Sequence, residues 1–223
     1  MTQTTVVFDL DGTLIDVDSA QAWLQFLEES NIAGAAQARR ICSALMQHYD
    51  AGSMDMATYM SAWLKPIEGF TIQQIEAITG VFVNQFIVPT IYPDALAKVR
   101  WHQAQGHAVA IISASPTLIV KPIADYLKVQ HAIGIEVAIV DNKVTQIAIA
   151  PFSFKAGKVA AVNQWLSSTA MSNLDYAYSD SSNDIPLLSL AQQAFCINPN
   201  TALSHHADTQ QWQTYYWTCK EPK

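Results

Sequence analysis

Val6-Val7-Phe8-Asp9-Leu10-Asp11-Gly12-Thr13-Leu14 is the stretch from which the rest of the chain can be read. An apolar run suited to a buried strand breaks off into two carboxylates, a glycine and a hydroxyl residue. Residues two apart on an extended chain face the same side, so Asp9 and Asp11 point to one pocket where that conformation persists. Gly12 lets the backbone turn sharply behind them. Neighbouring carboxylates at a strand end repel each other, which a folded protein tolerates with a cation or a shared proton. The stretch asks for a metal.

Downstream, residues 16–91 read as helical. Trp23, Leu24, Phe26 and Leu27 open an amphipathic segment with Ser19 as its expected N-cap, and 32–49 and 58–64 continue in the same style. Gly52-Ser53 and Lys65-Pro66 punctuate them. After Thr71, residues 72–88 carry Ile75, Ile78, Val81, Phe82 and Phe86 at helical spacing, and Pro89 closes the segment.

From Tyr92 the rhythm alternates. A helix over 93–105 stops at Gly106, and Ala108-Val109-Ala110-Ile111-Ile112 forms a buried strand ending at Ser113. Pro116 stands in the first turn of a helix that runs to about Leu127. Residues 135–149 read as a hairpin around Asp141-Asn142. A helix over 155–166 presents Val159, Val162, Trp165 and Leu166, and a strand over 175–179 runs into Asp180-Ser181-Ser182-Asn183-Asp184. A helix over 185–190 and a strand over 194–197 follow. This pattern predicts an α/β fold with a mainly parallel, Rossmann-like sheet covered by helices, and the stretch 16–91 then stands as an insertion.

The 223 residues suffice for a core domain carrying a smaller insertion. A net charge of -7 with 12 Lys and Arg argues against a nucleic-acid partner, which needs clustered basic residues. Trp212, Tyr215, Tyr216 and Trp217 have no basic cluster beside them and are expected to pack on the domain. The three cysteines, Cys42, Cys196 and Cys219, suggest neither a disulfide framework nor a zinc site, and the six histidines show no ligand spacing. No apolar run is long enough to span a bilayer and no leader pattern is visible, so the expected compartment is the cytoplasm with no membrane partner. A calcium loop starting at Asp9 fails, because its sixth and twelfth positions are Leu14 and Ala20 where glycine and glutamate are needed.

Open parallel sheets bind ligands at the carboxyl ends of their strands. Three polar clusters fall at such ends: Asp9 with Asp11, Ser113, and Asp180 to Asp184, while Lys158 starts a helix ahead of the third. In this order Asp9-Leu10-Asp11-Gly12-Thr13, Ile112-Ser113-Ala114-Ser115, Lys158 and Asp180-Ser181-Ser182-Asn183-Asp184 resemble the four motifs of the haloacid dehalogenase superfamily. The helical stretch between the first two motifs is similar to the cap of its phosphoserine-phosphatase-like subgroup.

The resemblance implies a magnesium-dependent phosphomonoesterase acting on a small phosphorylated metabolite. A catalytic core of 1–15 and 92–223 would carry a helical cap of 16–91. Asp9 would attack phosphorus and become an aspartyl-phosphate, and Asp11 would act as acid and then as base. Asp9, the Asp11 backbone carbonyl and Asp180 would hold Mg2+. Ser113 and Lys158, with Gly12 and Thr13, would bind the phosphoryl group, and Asn183 and Asp184 would support them. Lys155 competes with Lys158 for its role, Ser115 shadows Ser113, and Asp16 and Asp18 either begin the cap or touch substrate. Ser179, where the fourth motif usually has glycine, is expected to alter little. Within the resemblance, phosphotransfer to another alcohol and silent phospholigand binding are the alternatives to hydrolysis.

Overall fold

The computed structural model describes residues 3–47 and 54–219. Tyr49, the end of the helix expected over 32–49, and the break at Gly52-Ser53 lie outside the described residues. Strand β1 (Thr5–Asp9) is buried along its whole length. Helices α1 (Ser19–Glu29), α2 (Ala35–Met46), α3 (Met56–Leu64) and α4 (Ile72–Phe82) follow, the last running through a π-helical turn at Val83–Ile87 and a 3-10 turn at Val88–Thr90. Then come α5 (Pro93–Ala104), β2 (Ala108–Pro116), α6 (Thr117–Tyr126), β3 (His131–Ile135) and a hairpin of β4 (Val137–Val140) and β5 (Lys143–Ala148). Helix α7 (Ala156–Ser168), β6 (Tyr176–Ser179), α8 (Ile185–Leu190), β7 (Gln193–Ile197), α9 (Thr201–Gln210) and β8 (Gln213–Tyr215) complete the order.

The main sheet has the order β3-β2-β1-β6-β7-β8 and every pairing in it is parallel. Its inner strands are largely buried and apolar because helices cover both faces, while the edge strands β3 and β8 are more open. Strand order reverses at β1, which lies between β2 and β6, so the carboxyl end of β1 opens into the crevice where such sheets bind ligands.

Three local expectations change. Asp18, not Ser19, caps α1: its carboxylate accepts from Gln21 N, while the Ser19 N–H turns to Asp11. The strand expected to end at Ser113 continues to Pro116, which puts that proline at the N-cap of α6, and His131–Ile135 is a separate parallel strand beside it. Gly134 permits that approach, since a Cβ there would lie 2.7 Å from the Ser115 carbonyl oxygen. The aromatic tail divides: Trp212 and Trp217 pack on the body, whereas Tyr216 remains 75% exposed.

The helices α1 to α4 are tied to the sheet by packing. One buried cluster runs from Phe8 and Ile15 through Trp23, Leu27, Trp63 and Phe82, and Trp63 Nε1 donates to the Ala20 carbonyl at 3.0 Å. Each such side chain contributes roughly 1.5–3 kcal/mol by burial. Exposed pairs such as Arg39–Glu28 at 2.8 Å contribute about 0–1 kcal/mol, so packing dominates.

Candidate active site

Asp9 ends β1 and is buried. Beyond it Gly12 turns the chain at φ +72°, and the Leu10 carbonyl accepts from Thr13, Leu14 and Ile15 N. This tight turn holds Asp9 and Asp11 at the wall of one cavity of about 390 Å³. A side chain at position 12 would collide with the Asp180 carboxylate, which the carboxyl end of neighbouring β6 brings in. Thr13 Oγ1 lies 3.4 Å from an oxygen of Asp9 and 3.4 Å from one of Asp180.

Lys158, in the first turn of α7, is buried and donates at 2.6 Å to Asp9 Oδ1 and at 2.6 Å to Asp184 Oδ2. Lys155 instead lies over the Phe154 ring. Asp184 also accepts from Ser179 Oγ at 2.7 Å. Ser179 was expected to be a neutral replacement of glycine, but its hydroxyl helps fix the carboxylate that orients Lys158. Ser153 is a further residue that sequence reasoning missed: its buried Oγ donates to the Ser113 carbonyl at 2.6 Å, tying the segment before α7 to β2. No motif signal marks it.

Ser113 is fully buried, with Oγ 3.1 Å from Asp11 Oδ2, and it accepts from Ser115 N. Ser115 lines the cavity and Ser113 does not. Asn183 is buried beside Asp184, its N–H donating to Ser181 Oγ. Asp16 and Asp18 also line the cavity, with Val17, Met46, Met54, Met56 and Tyr59.

The electrostatics favour a cation. Burial raises the Asp9 carboxyl to about 7 against the pull of Lys158, with Asp184 and Asp11 pushing it further up. Burial and the charge of Asp18 raise Asp11 to about 6, opposed by hydrogen bonds from Ser19 and Ser113. Burial, then Asp9 and Asp184, raise Asp180 well above the usual carboxylate range. A divalent ion would relieve this repulsion. Among the described residues no three carboxylate, imidazole or thiol groups form a ready metal cage. Asp9 and Asp180 flank one hydroxyl, however, and with a backbone oxygen such a pair suits Mg2+, which keeps much of its water and takes one or two carboxylates. The residues fit the ion.

A family model described as haloacid dehalogenase-like hydrolase matches residues 6–189. A histidinol-phosphatase from Neisseria meningitidis serogroup C is 29% identical over 211 residues, spanning 92% of this chain and 95% of that protein. Phosphoserine phosphatase SerB1 from Mycobacterium tuberculosis is 28% identical, over 92% of this chain and 68% of its own length. A crystal structure of a protein of unknown function from Bordetella pertussis superposes with a TM-score of 0.88 at 32% identity, covering 96% of this chain and 98% of that one. A phospho-aspartyl intermediate analogue of phosphoserine phosphatase shares the fold at a TM-score of 0.67 and 16% identity, covering 93% and 92%.

Proposed function

We propose that this chain, which belongs to the haloacid dehalogenase-like hydrolases and is a phosphatase, hydrolyses small phosphate monoesters through a phosphorylated Asp9. The observation that carries the reading is the meeting of Asp9, Asp11, Lys158 and Asp180, from three separate segments, at the carboxyl ends of β1 and its neighbours. Asp9, whose anionic form Lys158 and a bound cation would both favour, attacks phosphorus and displaces the alcohol. Asp11 gives that alcohol its proton and then takes one from the water that cleaves the acyl phosphate. Lys158 and Ser113, with Gly12 and Thr13 in the turn, hold the phosphoryl oxygens, and Asp184 and Asn183 keep this frame in register. Asp9, the Asp11 carbonyl and Asp180 would hold Mg2+, which supplies positive charge to the phosphoryl oxygens. Residues 16–91 act as a cap over the leaving group, and core residues 1–15 and 92–223 carry the chemistry.

The cavity also suggests the alcohol. On the cap side it offers Asp16 and Asp18 beside three methionines and Tyr59. The cap's basic residues are Arg39, Arg40 and Lys65. Arg39 pairs with Glu28, Lys65 with Glu68 at 2.9 Å, and Arg40 is exposed, so none lines the cavity. A leaving group with an ammonium and an apolar or aromatic body fits this wall, and one with a carboxylate meets repulsion. Histidinol phosphate, the substrate class in the Neisseria relative's name, answers that description better than phosphoserine. The test is Mg2+-dependent phosphate release from histidinol phosphate, phosphoethanolamine, phosphoserine and glycerol phosphate. Histidinol phosphate is expected to exceed phosphoserine at least about tenfold in kcat/KM, the equivalent of one modest charge contact. Phosphoserine as the best substrate would overturn the leaving-group reading.

A further inference from the structure

Asp11 is held by three donors from two segments of the chain. The Ser19 N–H reaches Oδ1 at 2.7 Å, and the hydroxyls of Ser113 and Ser115 reach Oδ2 at 3.1 and 3.2 Å. Ser19 Oγ stands 3.0 Å from Ser115 Oγ. Either hydroxyl can donate in that contact, and the Ser19 side chain also hydrogen-bonds Asp11, so Ser19 and Ser115 form one coupled pair on this carboxylate. Both serines are buried, Ser19 completely, which restricts the partners their hydroxyls can choose. Ser19 opens α1 in the insertion and Ser115 lies near the end of β2 in the core.

We infer that Ser115 and Ser19 are positioning residues that fix the orientation of the Asp11 carboxyl toward the leaving-group oxygen, and that this clamp is complete only with α1 docked on the core. The inference rests on Asp11 acting as the general acid. Swinging that carboxyl by a fraction of its reach would leave the nucleophile and the phosphate donors in place while weakening proton delivery. The defect would therefore depend on how much the departing alcohol needs a proton.

The test uses a series of substituted phenyl phosphates, from nitrophenyl to methoxyphenyl, with kcat/KM plotted against leaving-group acidity. The wild-type protein should show a shallow dependence and Asp11→Asn a steep one. Ser115→Ala and Ser19→Ala should each steepen it, losing about tenfold on the least acidic phenol and less than about threefold on nitrophenol, without a change in circular dichroism. Because the two hydroxyls act on Asp11 as one coupled pair, the double variant should lose less than the two single losses combined. If either single variant fails to fold, the other carries the comparison. A steep Asp11→Asn line beside serine variants parallel to wild type would overturn the positioning role. An unchanged Asp11→Asn line would instead remove the acid assignment itself.

Discussion

Gly12 shows how closely backbone and chemistry are joined in this site. Its φ of +72° costs an L-residue roughly 1 kcal/mol, and a Cβ there would also push the Asp180 carboxylate aside. Gly12→Ala is therefore expected to keep the fold and weaken Mg2+ binding about tenfold or more, read by calorimetry without substrate. Unchanged affinity would mean that Asp180 does not depend on that turn. At this scale the sequence was legible as to placement: Asp9 ends a buried strand and Asp11, two residues on, lines the same cavity. It was less legible where two residues of one type compete. Lys158 and Lys155 separate only when α7 sets their directions, and the partnership of Ser179 with Asp184 exists only once the turn after β6 has folded.

Helix α5 is joined to the sheet by a polar contact inside an otherwise apolar layer. His102 is buried, with Nε2 2.9 Å from Tyr178 OH on β6 and Nδ1 2.9 Å from His107 Nδ1. Burial first, then the nearby His107 and Lys98, lower its pKa to about 4 from the usual 6.5. The unfolded chain takes up this proton first, so the stability from the neutral ring is complete above pH 6.5 and is lost as pH falls toward 4. The gap in thermal midpoint between wild type and His102→Gln should be widest at neutral pH and narrow on acidification to the folded-state value. A constant gap would contradict this account. Among elements, the helices as far as α8 and the apolar strands were readable in advance, while β3, α9 and β8 were not. His131-Ala132-Ile133-Gly134-Ile135 contains a glycine and is only half-buried over its first three residues, and Gln213-Thr214-Tyr215 is a three-residue edge, so neither has the alternation or continuous apolarity that marks a strand.

The whole molecule brings distant parts of the chain to one point. The stretch that carries α1 to α4 begins and ends on adjacent segments, with Asp16 N donating to the Thr90 carbonyl and Tyr92 N to that of Leu14, and Trp217 packs on Tyr92. α1 then reaches over the carboxyl ends of β1 and β2 with Ser19 on Asp11 and with Asp18 at the cavity wall. Site, sheet reversal and the helices α1 to α4 are thus parts of one arrangement, and residues 6–14 sit at its centre. The most direct test of that arrangement is to mix the protein with Mg2+ and histidinol phosphate or nitrophenyl phosphate, quench in acid on the millisecond to second scale, and map the peptides by mass. The account predicts a transient gain of one phosphoryl group on the peptide carrying Asp9, absent in Asp9→Asn along with phosphate release. Steady phosphate release with no modified Asp9 peptide at any quench time, and with Asp9→Asn still active, would contradict it.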